Sequence, residues 1–224
     1  MNLLFDYDGT IHNCIKIYEP AFRVAENYLR FKTGSYHANN LDTPSEIPLS
    51  PISTQELEQW LGDTPIDMWN AYAPTLSEND KQQCIELIKN EMIQLTNQGY
   101  AELYPHTTEV LSKLRNRSYH LILLSNCQHE YMAAHIKAFQ LDCLFDDIYC
   151  SADYHYAPKS MILPTIQEEH PDDFTIIGDR SHDMDIAKQF HYPSIGCCYG
   201  YGSPEELMNA TYKIHDIREL LNIL

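Results

Sequence analysis

The chain has 224 residues, 44% of them hydrophobic, and a formal net charge of −17. That length buries one good core, or one core and a small second one, and the acidic balance argues against nucleic-acid or anionic-membrane partners, which need a basic face. No apolar run approaches the ~18 residues that span a bilayer, and residues 2–5 are too short, with no charge before them, for a signal peptide; the expected location is cytoplasmic. Seven cysteines, an odd number with no C-x-x-C spacing and with Cys197 and Cys198 adjacent, read as reduced thiols. Neither a disulfide framework nor a zinc site is expected.

The chain opens on a strand-like run, "NLLF", that ends in "DYDGT". Residues 18–32 read as a helix with Phe22, Ala25 and Leu29 on one face and Gly34 as its stop. Pro44, Pro48 and Pro51 among polar residues make 35–53 a loop. Ser53 and Glu56 form a capping-box pattern ahead of Leu57, Trp60 and Leu61. Ser77 opens a longer helix carrying Ile85, Ile88, Met92 and Leu95, closed by Gly99. From residue 104 the pattern changes. Short apolar strands at 120–124, 148–150, 174–177 and 194–198 alternate with helices at about 106–117, 128–140, 159–169 and 181–190. Such alternation predicts an α/β fold with a Rossmann-like parallel sheet. The first strand precedes the helical block, so 16–99 is an all-α insertion into a core made of 1–15 and 100–224.

In open parallel sheets ligands bind beyond the carboxyl ends of the strands. Asp6 and Asp8 end the first strand and, two residues apart, point the same way. Ser125 and Asn126 end the second, Lys159 opens the helix after the third, and Gly178-Asp179 ends the fourth, with Asp183 and Asp185 just beyond. Clustered carboxylates repel unless a cation lies among them, and an all-oxygen site open to solvent suits Mg²⁺. Lys159 and the Ser125 hydroxyl suit a phosphate, and Gly9 lets backbone N–H groups approach an anion. This is the equipment of phosphoryl transfer, with one aspartate as nucleophile and the other as general acid and base.

Blander readings compete for some of these residues. A calcium-binding EF-hand starting at Asp6 would need Gly at its sixth position and Glu at its twelfth, where Ile11 and Ile17 stand. Asp183 and Asp185 are not both needed for such a site, and Arg180 either pairs with an acid or faces water. His155, His182 and His191 lack ligand spacing and His12 merely adjoins the acidic loop, so all the histidines read as surface or packing residues. Trp60 and Trp69 read as core rather than as a substrate platform.

"DYDGT", "LILLSN", "APKS" and "IIGDRSHD" resemble, in order, the four motifs of the haloacid dehalogenase superfamily of phosphohydrolases, and "GCCYGYGSPEEL" is similar to the tail of its phosphoglycolate phosphatase-like branch. The resemblance spans roughly 1–14 and 100–224. It implies Asp6 as nucleophile, Asp8 as acid/base and Thr10 as the residue holding the loop that presents Asp8. It implies Ser125 and Lys159, beside Gly9 and Asn126, as phosphate ligands. Mg²⁺ would be held by Asp6, the Asp8 backbone carbonyl and Asp179, with Asp183 in support directly or through water. The insertion would be a mobile cap, and the substrate a small phosphorylated metabolite.

Three departures stand out. His106 and Ile186 occupy positions where relatives have glycine, and "IHNC" replaces the common "L-x-D-S" after the first motif. Mutases of this cap type carry a histidine ten residues after the second aspartate, where this chain has Tyr18, and dehalogenases lack the acid/base that Asp8 provides. A non-catalytic phosphate-binding module is the remaining alternative.

Overall fold

The computed structural model describes residues 1–37, 52–62 and 64–224 of the chain. The order is β1 (Asn2–Phe5), α1 (Ile15–His37), α2 (Thr54–Glu58), α3 (Pro65–Tyr72), α4 (Glu78–Asn97), α5 (Thr107–Asn116), β2 (His120–Ser125), α6 (His129–Phe139), α7 (Leu141–Leu144), β3 (Asp147–Cys150), α8 (Lys159–Glu169), β4 (Phe174–Gly178), α9 (Ser181–Phe190), β5 (Ser194–Cys197), β6 (Tyr212–Ile214) and α10 (Leu220–Ile223). The chain divides into two compact units, Met1–Cys14 with Ala101–Leu224, and Ile15–Tyr100.

In the first unit all six strands are parallel, in the order β3-β2-β1-β4-β5-β6. Both faces are covered, which is why the strands read as continuous apolar runs rather than alternating ones. Leu4, Ile122, Leu124, Phe174 and Ile176 turn to one face and pack on Ile162, Leu163 and Ile166 of α8 and Ile186 and Ala187 of α9. Ile186 thus fills core space where relatives have glycine. Leu3, Phe5, Leu121, Leu123 and Ile177 alternate with them along the strands and are fully buried. Sequence order reverses on either side of β1, so the crevice at the carboxyl ends of β1 and β4 is the switch point where ligands bind in such sheets. β6 was not foreseen: it has three residues at the sheet edge, two of them exposed, too few to show a periodicity.

The second unit is helical. α1 begins three residues earlier than expected and runs past Gly34, since a glycine inside a helix costs only about 1 kcal/mol. The predicted loop at 35–53 therefore loses its first three residues to α1, and its remainder from 38 to 51 lies outside the described residues. Ser53 and Glu56 do form a reciprocal capping box. α3 is an addition: Thr64 caps it, Pro65 occupies its first turn, and eight residues are too few to declare a face. Its Trp69 is fully buried and stacks on Phe22 with ring centroids 5.7 Å apart, a core role as expected.

Candidate active site

Asp6 follows β1 directly and its N–H donates to the Ile177 carbonyl of β4 at 2.8 Å, which sets it beside Asp179. Asp6, Asp179 and Asp183 are all buried, each with a carboxylate oxygen within 4.8 Å of the other two. Lys159, buried at the start of α8, donates from Nζ to Asp6 Oδ1 at 2.5 Å and to Asp183 Oδ1 at 2.8 Å. Asp179 accepts from Thr10 Oγ1 at 3.1 Å and from the Tyr201 N–H at 2.7 Å. Gly9, Gly200 and Gly202 make room for it. A Cβ on Gly9, whose φ is +92°, would lie 2.2 Å from Asp179 Oδ2, and one on Gly200 would lie 2.3 Å from Asp179 Cβ.

One ammonium does not neutralise three carboxylates. Burial, opposed by Lys159 and reinforced by Asp183, raises the Asp6 pKa above the ordinary carboxylate range. Burial and the charges of Asp6 and Asp183 drive Asp179 well above it. At Asp183 burial is outweighed by Lys159 and His182, which hold the carboxyl below that range. Lys159 itself is pulled up by Asp183 and Asp6 despite its burial. The unrelieved negative charge at Asp6 and Asp179, presented by oxygen ligands alone, fits a hard divalent cation such as Mg²⁺.

Asp8 lives in a different setting. Its Oδ1 lies 2.7 Å from His12 Nδ1 and accepts from the Tyr131 hydroxyl at 2.9 Å. Burial alone would raise its pKa, but the His12 and Tyr131 hydrogen bonds and the nearby rings of His12 and His135 bring it below the ordinary value. His12 Nε2 is buried with no hydrogen-bond partner among the described residues. A bare lone pair is cheaper to leave unpaired than an N–H, so the proton is assigned to Nδ1, aimed at Asp8. Tyr7 completes the network, its hydroxyl 2.7 Å from His135 Nδ1 and its ring stacked on His12. His12 is therefore neither a surface nor a mere packing residue, which corrects the expectation. Tyr131 and His135, four apart on one face of α6, were missed because only the fold brings them to the loop; the lone hint was the histidine at position 12.

The other expected residues take these positions. Ser125, buried, and half-buried Asn126 lie at the carboxyl end of β2, on the same sheet edge as Asp6. Thr10 acts on Asp179 through its hydroxyl, while its carbonyl accepts from the Tyr199 hydroxyl at 2.9 Å. The Gly9 N–H is taken by the His12 carbonyl at 2.9 Å, so Gly9 serves by making room for Asp179 rather than by offering its own N–H to an anion. Arg180 pairs with Glu206 at 3.1 Å, and Asp185 is exposed.

The profile of the haloacid dehalogenase-like hydrolases matches residues 3–197. The chain belongs to that family. It is 26% identical over 238 residues to a phosphoglycolate phosphatase of Haemophilus influenzae, covering 98% of this chain and 96% of that one. A phosphoglycolate phosphatase of Vibrio vulnificus is 24% identical over 157 residues, 67% of this chain and 68% of that one. The fold is that of a predicted phosphatase from Clostridium acetobutylicum, with a TM-score of 0.78 at 21% identity over 99% of this chain and 96% of that one. No helix among the described residues of this family member is long and apolar enough to cross a membrane.

Proposed function

We propose that this hydrolase is a Mg²⁺-dependent phosphatase that cleaves a small phosphomonoester through an aspartyl-phosphate on Asp6. The observation that carries the reading is the buried Asp6–Asp179–Asp183 cluster with Lys159 bridging two of its members. Asp6, Asp179 and the Asp8 backbone carbonyl would hold the cation, with Asp183 in support. When bound, the ion would neutralise the cluster and the phosphate charge, leaving the Asp6 carboxylate able to approach an anion.

Asp6 attacks phosphorus, and the leaving oxygen departs with a proton from Asp8, whose low proton affinity in the free site is raised by the negative charge of the bound phosphate. Asp8 then takes a proton from the water that hydrolyses the phospho-aspartate and is restored. His12 and Tyr131 hold the Asp8 carboxylate for that return step. Lys159 orients Asp6 and, with Ser125 and Asn126, binds the phosphoryl oxygens. The inserted helical unit is assigned the cap role and the choice of substrate. Because the relatives at 24% and 26% identity carry that name, phosphoglycolate leads the substrates to try.

The test is phosphate release from a panel of phosphorylated metabolites, with and without Mg²⁺. Metal-dependent release, lost in Asp6→Asn, is the expected result. A folded protein that releases phosphate from no compound would refute the reading.

A further inference from the structure

At the opposite end of the sheet, where strands begin, two histidines converge on one carboxylate. His120 is the first residue of β2, Asp147 the first of β3, and His170 follows α8. The Nε2 atoms of His120 and His170 lie 3.0 and 3.4 Å from the same oxygen, Asp147 Oδ2. The six-residue β2 separates this group from Ser125 by roughly 17 Å. None of the three residues takes part in the reaction proposed above.

The spacing has a meaning. A tetrahedral ion bound at 2.0–2.1 Å requires ligand atoms roughly 3.3 Å apart, and the two nitrogen-to-oxygen edges bracket that value. The surroundings match as well. His120 Nδ1 lies 3.5 Å from Asp146 Oδ2, and Asp146 is fixed by Arg115 at 2.8 Å and by the Leu121 N–H at 2.8 Å. A carboxylate on the Nδ1 side can hold the proton there when Nε2 takes an ion, the arrangement that orients a metal-ligating histidine. Nε2 and Asp147 Oδ2, 3.0 Å apart, are then close enough to ligate one ion in place of the proton they otherwise share. On the other side the His170 carbonyl accepts from Asn2 Nδ2 at 3.3 Å, which pins the backbone; the Tyr149 hydroxyl, which donates to Glu169, lies 3.2 Å from His170 Nε2 and would give up that nitrogen to an ion. The group is half-exposed, so an ion can enter and a water can fill a fourth position.

We propose that His120, Asp147 and His170 form a second metal site, selective for a borderline transition ion of the Zn²⁺ class, tying β2, β3 and the end of α8 together. Imidazole nitrogen suits Zn²⁺ and Co²⁺ and disfavours Mg²⁺, whereas the all-oxygen cluster at the other edge has the reverse preference. The two sites are thus separable by ligand chemistry as well as by distance.

The experiment is a titration of chelator-stripped, untagged full-length protein with Co²⁺ in saturating Mg²⁺, read by visible absorption and equilibrium dialysis, with thermal melting in Zn²⁺ as a second readout. Wild type and Asp179→Asn should each bind one equivalent with the absorption of a tetrahedral nitrogen–oxygen site, and Zn²⁺ should raise the melting temperature of both. His120→Gln and His170→Gln should weaken binding on the order of 100-fold and abolish the Zn²⁺ shift. Binding unchanged in the histidine variants, a thiolate charge-transfer band pointing to the cysteines, loss of binding in Asp179→Asn alone, or no binding by wild type would each overturn the proposal. None of these readouts depends on turnover, so they stand or fall apart from the proposed phosphatase activity.

Discussion

Asp6 and Asp8 stand two residues apart on one loop, yet their surroundings push them in opposite directions. Asp6 faces two more buried carboxylates with one lysine between them, and its pKa is raised chiefly by burial. Asp8 meets His12 and Tyr131, whose hydrogen bonds overcome burial and hold its pKa down. The Asp6 half carries charge that protons or an added cation must relieve, while the Asp8 half is satisfied by the chain itself. That order of pKa values is the reverse of what a nucleophile and a general acid need, so in the proposed reaction a cation held by Asp6 and Asp179 would have to bring Asp6 back to its ionised form.

The largest test of that contrast is Asp6→Asn, which should lower turnover by on the order of 10³-fold or more while leaving the melting transition cooperative. Steady-state phosphate release alongside calorimetry measures both, and an active variant would remove Asp6 from the chemistry. Gly9→Ala comes next. Its Cβ would lie 2.2 Å from Asp179 Oδ2 at a φ of +92°, so it should destabilise by about 2–4 kcal/mol and weaken Mg²⁺ binding, read by denaturant unfolding with and without the ion.

On the Asp8 side the effects should be smaller and confined to kinetics. His12→Gln and Tyr131→Phe each remove one partner of Asp8 and should lower kcat by about 10- to 100-fold, with little change in Mg²⁺ affinity. An equal loss of metal binding would merge the two halves into one. Behind Asp8, burial and the neighbouring His12 depress the His135 pKa to about 3. Since the unfolded chain takes up this proton near pH 6.5 and the folded one does not, His135 costs stability as pH falls below 6.5. The loss approaches about 1.4 kcal/mol per pH unit, so the stability advantage of wild type over His135→Gln should shrink on acidification. A gap independent of pH would contradict the buried neutral ring.

The smallest effect lies away from the site. His106 caps α5 with φ 69° and ψ −1°, the left-handed conformation that explains glycine in relatives. His106→Gly should stabilise by about 1 kcal/mol without touching kinetics.

Much of this was legible in the sequence because it is local. Strands β1 to β5 declared themselves as apolar runs closed by acids or small polar residues, and Asp6, Asp8 and Asp179 were read from their places at strand ends, whereas Asp183 was picked out by the family resemblance. What escaped was short or non-local. β6 and α3 lack the length to show a period. Tyr131 and His135 reach Asp8 from α6, and Tyr201 reaches Asp179 across 22 residues; no spacing encodes such contacts. Gly9 and Gly200 were visible as letters, but their need for space became evident only beside Asp179.

The most direct measurement is chemical capture of the proposed intermediate. The enzyme is quenched in acid during turnover with Mg²⁺, reduced with borohydride and digested, and the N-terminal peptide is analysed by mass spectrometry. The account predicts homoserine at position 6 and nowhere else, as borohydride reduces an acyl phosphate but leaves a free carboxylate intact. Turnover with an unmodified Asp6, or with the label on another residue, would contradict it.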